Sequence, residues 1–222
     1  MLIQIPNVLS REEAAIVLQE LKQGQYEDGS VSAGSIAVEV KKNLQVKRDA
    51  EAVKKCGPAL LAALKRSSLF QAAAMPLKIF GPMFNRYDVG MNYGLHVDNA
   101  LMGDPATIRS DVSATLFLTP PEDYDGGELV IQEVSAERRI KQPPGSMVVY
   151  ASTNSHRVEP VTRGTRLSAI FWIQSMVRDE SKREILFDLN QILDVVEKKL
   201  APPENMALTS IYHNLLRQWA ET

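Results

Sequence analysis

Ala14, Val17, Leu18 and Leu21 repeat at the interval of a helix with one apolar face. Ser10-Arg11-Glu12-Glu13 just ahead of them has the form of a capping box, in which the Ser10 hydroxyl and the Glu13 carboxylate satisfy free amides at a helix start; Gly24 closes the run. A second stripe of Ala50, Val53, Leu60, Leu61 and Leu64 predicts another helix, which Gly57-Pro58 is expected to kink or divide. Beyond Pro76 the period shortens. Short β-rich runs occupy 77–88, 112–118, 128–132, 138–141, 146–150, 156–161 and 166–174, parted by turn signals such as Pro120-Pro121, Asp125-Gly126-Gly127, Pro143-Pro144-Gly145 and Arg163-Gly164. Strands at that spacing predict an antiparallel sandwich or barrel rather than βαβ units. From Asp179 the helical period returns: Ile185, Leu189, Ile192, Val196 and Leu200 form one stripe, Pro202-Pro203 breaks it, and Leu208, Ile211, Tyr212, Leu215 and Trp219 form another. The pattern therefore predicts a mainly β chain with flanking helices (α+β), ending in a helical hairpin. The hairpin's stripes must bury against the β core or at the subunit interface of a homo-oligomer.

Composition removes several function classes. The 222 residues are 45% hydrophobic and 23% charged, with a formal net charge of −2. That balance argues against a protein that lives on nucleic acid or anionic lipid, and Lys41-Lys42, Arg138-Arg139 and Lys198-Lys199 are too short and scattered for a basic footprint. No apolar run approaches the ~18 residues of a membrane span. Met1-Leu2-Ile3-Gln4-Ile5-Pro6 lacks the basic start and long apolar stretch of a signal peptide. Cys56 is the only cysteine, which excludes an intrachain disulfide and cysteine-built metal sites. The expectation is a soluble cytoplasmic protein whose metal, if it holds one, is bound by histidines and carboxylates.

There are three histidines. His213 falls in the last helical stripe and reads as surface or packing. His96-Val97-Asp98 places an imidazole and a carboxylate on one face of a strand. Alone, a structural His–Asp pair explains such a doublet at least as well as a metal does. His156, opening a later β run, changes the weight: two histidines and one carboxylate from separated strands match the facial triad of non-haem Fe(II) oxygenases. Arg166 then begins the very apolar strand Leu167-Ser168-Ala169-Ile170-Phe171-Trp172-Ile173. A guanidinium at the entrance to a core strand needs an anion, either a protein carboxylate or a ligand carboxylate gripped by two parallel hydrogen bonds. Ser168, two residues on, faces the same side and offers a hydroxyl.

These residues belong to a longer ordered series: Asn85-Arg86-Tyr87, Gly90, Tyr93, Gly94, His96-Val97-Asp98-Asn99, Asp111-Val112-Ser113-Ala114-Thr115, Gly126-Gly127-Glu128-Leu129, Pro144-Gly145-Ser146, His156-Arg157-Val158, Pro160-Val161 and Gly164-Thr165-Arg166. The series resembles the bacterial PKHD-type hydroxylases, Fe(II)/2-oxoglutarate-dependent dioxygenases of prolyl 4-hydroxylase type, from Leu77 to Ser175, and the flanking helices look like that family too. The resemblance implies a double-stranded β-helix (jelly-roll) core, iron held by His96, Asp98 and His156, and Arg166 on the distal carboxylate of 2-oxoglutarate. L-Ascorbate as a supporting reductant comes with it. Tyr87 and Tyr93 resemble the two tyrosines that precede the metal doublet in prolyl hydroxylases; Tyr87 would lean over the co-substrate or else pack as core. Phe117 departs from the pattern, standing where many prolyl hydroxylases carry a tyrosine that helps hold the distal carboxylate. Thr115, Ser168 or a water would have to replace it.

The expectation is an Fe(II)- and 2-oxoglutarate-dependent dioxygenase that uses O2 to hydroxylate a peptidyl residue, an amino acid or a siderophore-like small molecule, with succinate and CO2 as co-products. A non-catalytic iron/2-oxoglutarate-sensing protein linked to iron uptake is the alternative, and a metal-free jelly-roll binding module a third. The expected organisation is an N-terminal helical region packed on the core (1–76), a jelly-roll dioxygenase domain (77–177) and a C-terminal helical hairpin (178–222). The stretch Ala100–Arg109 is expected to form a lid over the site, because such loops commonly carry specificity.

Overall fold

The computed structural model describes residues 1–32, 40–103, 107–133, 135–196 and 199–222. The chain opens with β1 (Leu2–Ile5), α1 (Arg11–Lys22), β2 (Tyr26–Asp28), β3 (Lys41–Lys42), β4 (Leu44–Val46), α2 (Glu51–Arg66) and α3 (Ser68–Ala74). The central strands are β5 (Pro76–Tyr87), β6 (Asn92–His96), β7 (Leu101–Met102), β8 (Ile108–Arg109), β9 (Val112–Phe117), β10 (Asp125–Gly126), β11 (Leu129–Gln132) and β12 (Glu137–Ile140). They continue with β13 (Met147–Ala151), β14 (His156–Val158), β15 (Val161–Arg163) and β16 (Arg166–Ser175), before α4 (Glu180–Val196) and α5 (Pro202–Trp219).

Two antiparallel sheets face each other. One has the order β1-β13-β9-β16-β5-β4-β2, the other β12-β11-β14-β6-β3. From β5 onward the chain passes back and forth between them: β5, β9, β13 and β16 lie in the larger sheet, β6, β11, β12 and β14 in the smaller. That winding is a jelly roll. The period-2 pattern assigns each face. Val112, Ala114 and Leu116, Met147 and Val149, and Leu167, Ala169, Phe171 and Ile173 point outward into a core shared with α1, α2 and α3. Phe117, Val148 and Tyr150 point inward, with Tyr87, and meet Leu129, Ile131, Ile140 and Val158 of the smaller sheet.

Three local expectations change. The stripe containing Gly57-Pro58 is one helix, α2, with Pro58 inside it. Ala52, Cys56, Leu60, Ala63 and Leu64 are all buried on its face, and burial at about 1.5–3 kcal/mol per large side chain outweighs the ~3 kcal/mol that an interior proline costs. The run 156–161 divides into β14 and β15. The first 76 residues are not only helical: β1 pairs with β13, β4 with β5, and β3 with β6. These strands are short, so they carry little periodic signal and take their conformation from the edges they join. The capping box forms as expected, with Glu13 N donating to Ser10 Oγ and Ser10 N to Glu13 Oε2.

The hairpin α4–α5 packs at one end of the core, where Tyr212, Leu215, Leu216 and Trp219 surround Met75, Val177 and Leu186. Ala100–Arg109 contains the small hairpin β7–β8, whose Met102 and Ile108 pack with Met83 and Trp172; residues 104–106 lie outside the described residues.

Candidate metal centre and its cleft

His96 ends β6 and His156 begins β14, and the two face each other directly in the register. Each imidazole Nδ1 sits on a backbone carbonyl two residues back, His96 on Gly94 O at 2.8 Å and His156 on Asn154 O at 3.0 Å. A carbonyl can only accept, so Nδ1 carries the proton and each Nε2 lone pair is left for a ligand. Asp98 completes the group: one ligand atom from each of the three residues lies within 4.8 Å of the others. Asp98 Oδ2 is 3.8 Å from His156 Nε2. It also accepts a 2.6 Å bond from Ser113 Oγ, which is itself 2.7 Å from Ser152 Oγ. Burial, the neighbouring His156 and the Lys41 charge hold the His96 imidazole well below its usual pKa, against the opposing Gly94 carbonyl and Asp98. It is therefore neutral at physiological pH, the form that binds a metal. Tyr93 stacks on His96 with ring centroids 3.6 Å apart, and Tyr150 meets His156 edge-on at 5.0 Å.

The same cleft reaches Arg166, which is 2% exposed at the start of β16. Its Nη1 donates to Ser168 Oγ at 2.9 Å. Its Nε and Nη2 are buried with no hydrogen-bond partner, and no described carboxylate pairs with it. The guanidinium carbon lies 5.2 Å from the Tyr87 ring centre and 5.5 Å from that of Phe117, aromatic faces that attract a cation without discharging it. Burial pushes the Tyr87 phenol up to about 12, with Arg166 opposing, so Tyr87 stays a protonated donor.

Sequence reasoning missed several residues beside Arg166 and in the cleft. The buried Tyr124 hydroxyl has no hydrogen-bond partner, and burial raises its pKa while the Arg166 charge opposes the rise. A Cβ added to Gly127, whose φ is +64°, would lie 3.1 Å from both Arg166 Cδ and Tyr124 Cε2, so this glycine lets the two pack side by side. Ser113, Thr115 and Ser168 were legible as polar positions alternating within apolar strands. Tyr124 was hidden in a turn. Lys41, 6% exposed on β3, lines the cleft with its Nζ 5.2 Å from the Tyr93 ring centre; burial lowers its pKa to about 8, opposed by Asp98 and Asp28. Met102, Ile170 and Trp172 form an apolar wall.

A set of two imidazoles and one carboxylate suits a divalent transition metal, and a buried guanidinium with no carboxylate partner suits a carboxylate ligand. The donor set therefore fits an iron ion together with an anionic co-substrate.

Comparison with known proteins agrees with this chemistry. Residues 82–174 match the family model of the 2OG-Fe(II) oxygenase superfamily, and residues 180–221 that of the PKHD-type hydroxylase C-terminal domain. A PKHD-type hydroxylase of Methylobacterium nodulans is 50% identical over 226 residues, and one of Cupriavidus metallidurans 47% over 227, each alignment covering 100% of both chains. Among solved structures, a Pseudomonas putida prolyl-4-hydroxylase superposes with a TM-score of 0.54 at 22% identity, covering 78% of this chain and 92% of its own. A Trichoplax adhaerens prolyl hydroxylase, solved with a hypoxia inducible factor peptide fragment, gives 0.54 at 20% identity, covering 83% and 86%. At those identities the structural likeness establishes the jelly roll.

Proposed function

The chain belongs to the PKHD-type hydroxylases of the 2OG-Fe(II) oxygenase superfamily, and from that premise we propose how its own residues carry out the hydroxylation. His96, Asp98 and His156 hold Fe(II). Arg166 receives the distal carboxylate of 2-oxoglutarate, with Ser168 orienting the guanidinium and Tyr124 adding the hydroxyl that Phe117 lacks. Tyr87 lies across the co-substrate as a protonated donor. When bound, iron and 2-oxoglutarate supply O2 activation and oxygen transfer to substrate, with succinate and CO2 as co-products. The protein's part is positioning. The Gly94 and Asn154 carbonyls fix the two imidazole tautomers, Ser113 aims the Asp98 carboxylate, and the apolar wall of Met102, Ile170 and Trp172 keeps water from the reacting side.

The observation that carries this proposal is the buried, unpaired Arg166 guanidinium in the same cleft as the triad. Isolated buried charge is costly, so a guanidinium held this way is matched by a ligand anion rather than by the fold. L-Ascorbate as reductant and a cytoplasmic location follow from the family likeness and belong to the proposal, as does division into 1–76, 77–177 and 178–222 with the middle segment holding the chemistry.

The test replaces the triad. Fe(II) binding is measured under anaerobic conditions, and succinate formation from 2-oxoglutarate in air. His96→Ala, Asp98→Ala and His156→Ala should each cost more metal affinity than the ~10- to 100-fold typical of losing a group that only supports a ligand. His213→Ala, on the exposed face of α5, should cost none. Unchanged iron affinity in Asp98→Ala would remove the carboxylate from the site. Iron binding with no succinate under any substrate would favour a sensor.

A further inference from the structure

Tyr124 reaches Arg166 from a turn rather than from a strand. It follows the single helical turn Pro121–Asp123 and precedes β10, and it is 1% exposed. Its hydroxyl is buried without a partner, and the Arg166 charge acts on it. A residue outside the sheet ladders takes its direction from whatever grips its side chain and its carbonyl.

Two features grip Tyr124. Gly127 leaves room for its ring beside the Arg166 side chain. Lys141, in the link from β12 to β13, holds the residue itself. Its Nζ donates to the Tyr124 carbonyl oxygen at 2.6 Å and lies 3.9 Å from the centre of the Tyr124 ring. One ammonium thus meets both the backbone and the aromatic face of the same residue. The first contact is a charge-assisted hydrogen bond that fixes the turn; the second, between a cation and a π face, fixes the plane of the ring. Asp125, whose carboxylate feels the Lys141 charge, is exposed and bridged to Arg163 at 2.6 Å, so it does not draw the ammonium away from Tyr124. Lys141 is half-buried and is not among the residues that line the cleft.

Granted the co-substrate site above, on which this rests, we propose that Lys141 is a positioning residue for 2-oxoglutarate. It touches no ligand. It holds Tyr124 by carbonyl and ring, and so keeps the phenol hydroxyl beside the guanidinium that receives the distal carboxylate. Phe117 brings no hydroxyl to Arg166, so the direction of this phenol matters, and Lys141 sets it. An apolar side chain at 141 would cover the ring without binding the carbonyl, whereas an arginine would do both.

The test is a double-mutant cycle on full-length protein loaded anaerobically with Fe(II), with 2-oxoglutarate titrated against the metal-to-ligand charge-transfer band of its chelate. Lys141→Met keeps the length of the side chain and loses its charge and its donor. It should weaken 2-oxoglutarate about 3- to 30-fold, within the range of coupling between residues in contact, at unchanged iron affinity. Lys141→Arg should recover most of that loss. In a Tyr124→Phe background the same Lys141→Met change should weaken binding less than about two-fold, because the hydroxyl it serves is gone. Equal affinity in the parent and in Lys141→Met, or no recovery in Lys141→Arg, would overturn the inference. So would an undiminished loss in the Tyr124→Phe background, which would give Lys141 a route that bypasses Tyr124. Lost iron affinity in Lys141→Met would overturn it too, by making the lysine a support of the fold as a whole. Failure of the parent protein to form the band would instead count against the hydroxylase proposal itself. Unchanged affinity in Tyr124→Phe alone would remove Tyr124 from the co-substrate site, and this inference with it, while leaving the triad and Arg166 in place.

Discussion

Arg166, Tyr124 and Asp98 show how much single side chains decide here. Tyr124 and Arg166 present buried donors with no partner in the fold, and the proposed function directs both to one co-substrate carboxylate. Tyr124→Phe removes a hydrogen bond to a charged group, worth about 1.5–3 kcal/mol. It should weaken 2-oxoglutarate binding on the order of 10- to 150-fold with iron affinity intact, as read by titration of the chelate. An unchanged affinity would take Tyr124 out of the co-substrate site. Ser113→Ala removes the 2.6 Å bond that aims Asp98 and should lower Fe(II) affinity about 10- to 100-fold, measured by competition with a chromophoric chelator. The triad and Arg166 were legible in sequence because histidines are scarce and an arginine is rare at the start of an apolar strand. Tyr124 and Lys41 were not. Their places depend on which loop or edge strand folds over the cleft, and no local pattern encodes that.

Each strand of the core has a task written in its alternation. β16 turns Leu167, Ala169, Phe171 and Ile173 to the helices while Arg166, Ser168, Ile170 and Trp172 face the cleft, so a one-residue slip would bury the wrong set. The turn before β11 is set by Gly127 at φ +64°, where an added Cβ would lie 3.0 Å from Val161 and 3.1 Å from Arg166. Gly127→Ala should lower stability by about 1–2 kcal/mol in denaturant unfolding. It should also weaken 2-oxoglutarate binding by displacing Arg166; normal binding would show that the arginine tolerates the shift. The long strands of the core were readable from periodicity. β1 to β4 were not, because two to four residues at a sheet edge form through pairing rather than preference. α4 and α5 cover Met75, Val177 and Leu186 on one side and leave Ile185, Ile192, Met206 and Ile211 at least half exposed on the other. Deleting 179–222 should uncover more apolar surface than a soluble monomer tolerates and cause aggregation in size-exclusion chromatography. A monodisperse truncated protein with normal iron binding would show that the hairpin is dispensable to the core.

Across the whole molecule, His96, Asp98, His156 and Arg166 converge on one cleft, while the net charge is −2 and no described helix is long and apolar enough to cross a membrane. The jelly roll brings β6, some 60 residues upstream, around one cavity with β14 and β16, so that these four residues line it together. Both sheets contribute, which is why the alternating pattern could announce a β sandwich while the winding had to come from the family likeness. The role proposed for Arg166 is to hold the distal carboxylate of 2-oxoglutarate. It is tested most directly by titrating 2-oxoglutarate into the anaerobic Fe(II) protein and following the charge-transfer band in the parent and in Arg166→Gln. Removing one partner of a desolvated charge pair costs about 2–5 kcal/mol, so the variant should need on the order of 30- to 4,000-fold more 2-oxoglutarate at unchanged iron affinity, with Arg166→Lys between the two. Equal affinity in the parent and in Arg166→Gln would contradict it.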